Sequence, residues 1–333
     1  MHIITDAPRQ TNSWQQQLQE LITDPAELAR LLKLPPGSFS QAANEGFGLR
    51  LPRAMLSKIE PGNPDDPILR QFLPVARELD AVPGFHRDPL AEEEANPVPG
   101  LIHKYHGRVL MMAAGHCAVN CRYCFRRHFS YTENRLTGQN FRAILDYIAS
   151  DHSITEVILS GGDPLTVSNR QLQEWLHGFE GIGHLQRLRI HTRLPVVIPE
   201  RLDHDFVELL VSTRLQSVLV LHANHPRELD QPLAQALAGL KQANVTLLNQ
   251  AVLLKGINDQ AETLIELSEA LFAMGVLPYY LHLLDRVAGA ADFWVPDAEA
   301  RLLHQALLTA LPGYLVPKLV REIAHLSSKS WVN

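Results

Sequence analysis

Cysteine is nearly absent from this sequence, with three residues in 333. That excludes a disulfide framework, since three thiols make at most one bridge and leave one over. Basic excess is absent too: the net charge is −6 and the sequence pI about 6.2, without the positive footprint of a nucleic-acid binder. No apolar run approaches the roughly 18 residues that span a bilayer. The first ten residues, Met1 to Gln10, lack the basic and apolar regions of a secretory signal. Spare thiols are missing, which fits a reducing compartment. The expectation is a soluble, cytoplasmic protein with no nucleic-acid and no membrane partner. At 46% hydrophobic residues it can build a sizeable core.

The three cysteines that are present stand within eight positions, as Cys117, Cys121 and Cys124 in Gly-His-Cys-Ala-Val-Asn-Cys-Arg-Tyr-Cys-Phe-Arg-Arg. A disulfide across so short a loop is strained. Structural zinc takes four Cys or His ligands, and His116 or His128 could supply a fourth. Thiolates also hold iron–sulfur clusters, in which a four-iron cube takes one cysteine per iron. Three cysteines then leave one iron open to another ligand. The gathering of every thiol into one loop favours the cluster.

The first hundred residues read as an all-helical accessory region. Gln15–Leu32 has helical apolar spacing, shorter helices are expected near Phe39–Glu45 and Pro67–Leu79, and Asp88–Gly100 reads as an exposed linker. From about residue 101 strands and helices alternate. Strand-like runs are Arg108–Ala113, Thr155–Ser160, Leu188–Thr192, Ser217–His222, Thr246–Leu253 and Pro278–Leu284. Helical stretches between and after them are Asn140–Ser150, Ser168–Gly178, Pro199–Thr213, Gln231–Ala243, Asp259–Met274 (with Asp259 as its cap) and Asp297–Leu311. Such alternation predicts βαβ units on a parallel sheet, too few for an eight-unit barrel. The expected architecture is therefore α/β, a partial (β/α)6 barrel. Residues 1–100 form the accessory region, 101–311 the core and 312–333 a short carboxyl-terminal segment. Barrels of this kind carry their sites at the carboxyl ends of strands, where the cysteine loop falls. The second strand ends in Ser160-Gly161-Gly162-Asp163-Pro164-Leu165. Two glycines let backbone approach a ligand closely, and an ordinary turn capped by Asp163 is the alternative.

C-x3-C-x2-C with Tyr123 before the last cysteine resembles the signature of radical S-adenosylmethionine enzymes. The resemblance implies a [4Fe-4S] cluster whose open iron is chelated by S-adenosylmethionine. It also implies a radical-generating barrel, with Ser160, Gly161, Gly162 and Asp163 binding the amino group of that cofactor. Four further segments narrow the family. They are Gly-Gly-Asp-Pro-Leu, Arg193-Leu-Pro-Val-Val-Ile-Pro-Glu-Arg201, Asn249-Gln250-Ala-Val-Leu-Leu-Lys-Gly256-Ile-Asn258-Asp259, and the stretch from Gly313 through Pro317-Lys318 and Arg321-Glu322 to Lys329-Ser330. With Cys-Phe-Arg126-Arg127-His-Phe129 they resemble lysine 2,3-aminomutase over roughly residues 75–330.

That resemblance implies a second cofactor, pyridoxal 5′-phosphate, carried by Lys329 as the catalytic lysine. Lys104, Tyr105 and Arg108 match residues that hold its phosphate. Arg126 matches the arginine that grips the substrate carboxylate, a task suited to a guanidinium fork. Asp285 and Glu322 match two acids that clamp the distal ammonium of L-lysine. Read for themselves, these residues have plainer accounts: a solvated lysine, a surface pair, a loop cap and an acid on a wet face. Glu322 stands where the longer aminomutases have aspartate, and the chain ends at Asn333 without their extra cysteines. The short form resembles the branch that supplies (R)-β-lysine for elongation factor P. That implies an electron donor such as flavodoxin or ferredoxin and a functional link to an elongation factor P lysyl-ligase. Action on another amino acid, such as glutamate or arginine, and a non-catalytic iron–sulfur sensor are the competing readings.

Overall fold

A computed structural model describes residues 13–132 and 134–332; the terminal stretch Met1 to Gln10 lies outside them. The helix expected over Gln15–Leu32 is two short helices, α1 (Trp14–Gln19) and α2 (Pro25–Leu31). The reason is Asp24-Pro25: proline disfavours helical backbone in the residue before it. Asp24 instead caps the next helix, accepting from the Ala26 N–H at 2.9 Å. Between the helices Ile22 bridges to Leu51 by two backbone hydrogen bonds of 2.9 and 3.0 Å. Over Pro67–Leu79 the expected helix is reduced to two 3-10 turns separated by Pro74, while α3 (Gln41–Gly46) forms near its expected place. Asp88–Gly100 is not wholly exposed, because Leu90 and Glu92 are buried.

One sheet organises the remainder, its strands hydrogen-bonded in chain order from β1 (Leu101–Tyr105) to β9 (Ser330–Trp331). The run β2 (Arg108–Ala114), β3 (Glu156–Gly161), β4 (Arg187–Thr192), β5 (Gln216–Leu221), β6 (Thr246–Leu253), β7 (Leu277–Leu283) and β8 (Lys318–Arg321) is parallel throughout. At the edges β1 lies antiparallel to β2 and β9 antiparallel to β8. The six expected strands are all present, and the wall is extended by β1, β8 and β9. Those three were missed: β8 and β9 are too short for a visible period, and β1 returns through a tight Tyr105–Arg108 turn.

Helices α4 (Gly138–Ser150), α5 (Asn169–Glu180), α7 (His204–Ser212, after a four-residue α6, Leu194–Val197), α8 (Gln231–Gln242), α9 (Ala261–Ala273) and α10 (Asp297–Ala310) connect or follow the parallel strands. Helix α9 starts two residues after Asp259 and has no side-chain cap. Strand residues split by the period of two. Val157, Leu159, Leu188, Ile190, Leu219, Leu221, Leu281 and Leu283 enter the apolar core. Glu156, Ile158, Ser160, Arg189, His191, Val218, Gln250, Tyr280 and His282 face a cavity of about 740 Å³. The barrel interior is therefore an open chamber, with charged and polar side chains set among apolar ones, rather than a packed core. Trp14, Ile22, Leu28 and Phe72 join the same apolar core as the barrel.

Residues before 101 also clamp the cysteine loop. Arg50 Nε donates to the Cys117 carbonyl at 2.9 Å, Asn120 Nδ2 to the Gly48 carbonyl at 2.7 Å, and the Arg122 N–H to the Gln71 carbonyl at 2.9 Å. Glu78 holds two buried guanidinium groups of that loop, Arg122 at 2.5 Å and Arg127 at 2.7 Å. Removing one partner from a buried ion pair costs about 3–5 kcal/mol. Glu78→Ala is expected to lower the thermal midpoint by several degrees (~0.7 kcal/mol per residue of unfolding enthalpy sets that scale). An unchanged midpoint in a thermal melt would contradict this account of the loop.

Candidate active site

The cysteine loop leaves β2 at the carboxyl end of the sheet, and Cys117, Cys121 and Cys124 all line the chamber. Among the described residues no three His, Cys, Asp or Glu side chains converge as a single ion requires. The three thiols face one space, and Cys121 and Cys124 lie close enough to Cys117 to disfavour its ionisation. Neither candidate fourth zinc ligand joins them. His116 is exposed, and His128 Nε2 lies 3.0 Å from the Ala288 carbonyl. Burial, with the charges of Asp163 and the other two thiols, pushes the Cys117 thiol up, and burial with Cys121 raises Cys124 to about 11. Cys117 and Cys124 ionise readily only beside a cation, which is what an iron cluster offers.

The Gly-Gly-Asp segment lies directly beneath this loop, and its composition has a cause the sequence concealed. A β-carbon on Gly162 would stand 2.4 Å from the His116 carbonyl oxygen and 2.6 Å from its nitrogen. Gly161 adopts φ +99°, with Met112 packed against it. The close approach is thus between strand end and cysteine loop, secured by Gly162 N–H to Ala114 O at 2.8 Å and Asp163 N–H to His116 O at 3.0 Å. The Asp163 carboxylate accepts from Leu165 N–H (3.0 Å), Thr192 Oγ1 (2.6 Å), Arg193 N–H (2.7 Å) and Leu194 N–H (2.8 Å). Its four acceptor sites are all engaged. It faces the chamber but serves as a cap that ties β3 to β4.

The opposite wall is an alternating chain of charges. Lys329 Nζ donates to Glu322 Oε2 at 2.5 Å, and Lys104 Nζ donates to Glu322 Oε1 at 3.0 Å and to Glu92 Oε1 at 3.4 Å. Glu92 in turn receives Arg126 through Nε (2.6 Å) and Nη2 (2.7 Å), and Arg126 Nη1 reaches Ser160 Oγ at 3.4 Å. Antiparallel pairing of β8 with β9 folds Lys329 back over Glu322. Burial would raise the Glu322 carboxyl, but Lys329 and Lys104 hold it down at about 2. Burial pushes Asp285 up to about 7, with the Glu322 charge adding to the rise. Tyr105 and Arg108 complete this side, the guanidinium 4.8 Å from the ring centre. Burial, and then the Glu322 charge, raise the Tyr105 hydroxyl far above its usual range.

Apart from His116 and His128, the candidate site residues singled out in the sequence thus line one chamber. Several others there were not singled out. Glu92 sat in a run of three glutamates that looked solvated. Arg193 was quoted within a motif without a role, yet Nη1 lies 2.9 Å from Cys121 Sγ and Nη2 donates to Glu228 and Gln71 at 2.7 Å each. It also contacts the Tyr123 hydroxyl, which accepts from Asn224 Nδ2 at 2.6 Å and sits 3.0 Å from His222 Nε2. Burial pushes His222 and His282 down to about 3, so both imidazoles are neutral at physiological pH. A methyl at position 162 collides with fixed backbone, so Gly162→Ala is expected to loosen the cysteine loop. Its thiols should react with an anaerobic thiol reagent at least roughly tenfold faster than those of the parent, as exposure controls such reactivity. Equal rates would remove the packing explanation.

Residues 106–184 match the family described as a 4Fe-4S single cluster domain. The chain is 51% identical to L-lysine 2,3-aminomutase of Haemophilus influenzae over 334 residues, covering 99% of each protein. It is 49% identical to L-lysine 2,3-aminomutase of Escherichia coli over 332 residues, covering 99% of this chain and 97% of that one. With L-lysine 2,3-aminomutase of Clostridium subterminale it shares 34% over 313 residues, 93% of this chain and 75% of the other. A solved radical SAM methyltransferase from Sphaerobacter thermophilus superposes with a TM-score of 0.45 at 19% identity, over 66% of this chain and 68% of that one. Full-length identity near one half with such relatives, over a chamber joining three thiols to a lysine–glutamate pair, places this chain in the lysine 2,3-aminomutase family.

Proposed function

We propose that this protein is a radical S-adenosylmethionine aminomutase that converts L-α-lysine to β-lysine with the help of pyridoxal 5′-phosphate. The single observation that carries the reading is that Cys117, Cys121, Cys124 and the Lys329–Glu322 pair face the same 740 Å³ chamber. The residues fit both groups. The three thiols suit a [4Fe-4S] cluster with one open iron, filled by S-adenosylmethionine beside Ser160, Gly161 and Gly162. Asp163 contributes there by fixing the backbone, since its carboxylate is committed. For the second cofactor the wall offers two primary amines, Lys329 and Lys104. Lys329 is the one the family resemblance assigns to the carbonyl, which leaves Lys104 with Tyr105 and Arg108 as hydrogen-bond donors or cations for a phosphate. The cluster with S-adenosylmethionine supplies a carbon-centred radical, and pyridoxal phosphate supplies a carbonyl that holds an amino group.

What the chain's own residues do follows from their positions. Arg126 presents a guanidinium to the substrate carboxylate, and Asp285 with Glu322 receives a cationic far end. Two acids there disfavour glutamate, whose far end is anionic. Glu322 is engaged by Lys329 and Lys104 in the structure, so it becomes available to substrate as Lys329 is taken up by the cofactor. Neutral His282 and His191 add no competing positive charge near Lys329, for burial holds both below their usual range. A sensor would have no use for Lys329 and Arg126 in the chamber of its cluster. We further assign the product as the R isomer, destined for modification of elongation factor P through its lysyl-ligase, with flavodoxin or ferredoxin as electron donor. What supports this is the resemblance of the Glu322 segment to that branch of the family.

Anaerobic reconstitution with iron, sulfide, pyridoxal phosphate and S-adenosylmethionine, followed by chiral analysis of products from L-lysine, is expected to yield (R)-β-lysine. None from protein with an intact cluster would end this reading. Lys329→Ala should abolish both product and the visible absorbance of bound pyridoxal. The acids add a pH dependence. Asp285 is protonated below about 7, so it holds an ammonium poorly there and better above. Affinity for L-lysine should rise up to roughly tenfold from pH 6 to pH 8, and Asp285→Asn should flatten that rise. A rise that persists in the variant assigns it to another group.

A further inference from the structure

Arg126 is too well placed to owe its orientation to a substrate alone. A guanidinium has five N–H donors, and the structure uses three of them: Nε and one on Nη2 go to Glu92, and one on Nη1 goes to Ser160. One donor on each terminal nitrogen is left over, the pair a carboxylate can take in two-point fashion. The Glu92 side chain is 5% exposed and that of Arg126 7%, so the pair is fixed rather than fluctuating at a surface. Delivery of Glu92 has a conformational cost of its own. Ala91 sits at φ +49°, a left-handed conformation that L side chains rarely adopt. The turn is held by the Asp88 carboxylate, which accepts from the Leu90 and Glu92 N–H groups at 3.3 Å each. A glutamate kept solely to neutralise a surface arginine would need neither the turn nor the burial.

We propose that Glu92 is a positioning residue for recognition of the substrate carboxylate. It grips Arg126 along the Nε edge and so turns the two remaining donors toward the chamber. Through Lys104, at 3.4 Å from Glu92 and 3.0 Å from Glu322, it also sets the carboxylate end of the site in register with the acid at the amine end. The inference rests on the reading that Arg126 receives the substrate carboxylate. It adds to that reading a residue that touches no substrate.

The test uses the cluster- and pyridoxal-loaded enzyme, with L-lysine as substrate and 1,5-diaminopentane, lysine without its carboxylate, as competing ligand. Glu92→Ala is expected to raise KM for L-lysine roughly ten- to hundredfold, the size of a lost charge-assisted interaction. It should change kcat less than about fivefold and leave inhibition by 1,5-diaminopentane within about twofold. In an Arg126→Ala background the same change should add no more than about twofold. Glu92→Gln keeps the volume and one acceptor, so it should fall between parent and Glu92→Ala; it carries the test if the alanine variant fails to fold. A merely structural role would shift both ligands, kcat and the melting temperature together, and that pattern overturns the proposal. An unchanged KM in Glu92→Ala, with Arg126→Ala impaired, overturns it alone. If Arg126→Ala also leaves KM unmoved, the carboxylate reading falls with it.

Discussion

The run Arg126–Glu92–Lys104–Glu322–Lys329 is the interaction on which the chamber depends. Five ionised groups are taken out of water here, which is unfavourable for each by several kcal/mol unless neighbours compensate. Alternation of sign supplies that compensation, and it ties together segments far apart in the chain. Glu92 comes from the segment before the sheet, Lys104 from β1, Arg126 from the cysteine loop and the last two from the terminal hairpin. None of these segments would hold its charge buried alone. This wall of the chamber is assembled chiefly by charge pairing, where the outer faces of the strands pack into an apolar core.

The other side of the chamber is built differently. The cysteine loop is gripped by close backbone contacts from Gly162 below and the Gln71 carbonyl outside, and by the side chains of Arg50 and Glu78. A cluster held there would sit on a rigid support. The lysine and its partner acid lie in the connection between β8 and β9, where Ser330 and Trp331 pair with Arg321 and Val320. One side fixes position; in the proposed reaction the other exchanges partners as ligands enter. That division suits chemistry in which a reactive carbon must be met by one hydrogen of a substrate, since small misplacement sends abstraction elsewhere.

How much of this the sequence disclosed depends on how far each signal acts. Strand–helix alternation is a repeated local pattern, so the six parallel strands were legible. Spacing confined to eight residues made the thiol loop legible. Asp24-Pro25 was an equally local signal, overridden by counting apolar positions. Glu92 was not legible, because Glu93 and Glu94 beside it have the same chemistry and only the turn at Ala91 sends one of the three inward. Gly162 and Asp163 were read as facing a ligand. They line the chamber, and the contacts they make besides, with His116 and the β4 end, are ones that no single segment reveals. Lys329, Arg126 and Asp285 came from a family resemblance, and geometry then put them in one space.

The central claim is that the thiol triad and Lys329 act on one substrate inside one chamber. The most direct measurement follows deuterium from carbon 3 of L-lysine during turnover of the reconstituted enzyme. The account predicts that β-lysine accumulates and that deuterium is recovered in S-adenosylmethionine. Product formed with all deuterium retained on lysine carbons, and none in S-adenosylmethionine, would contradict it.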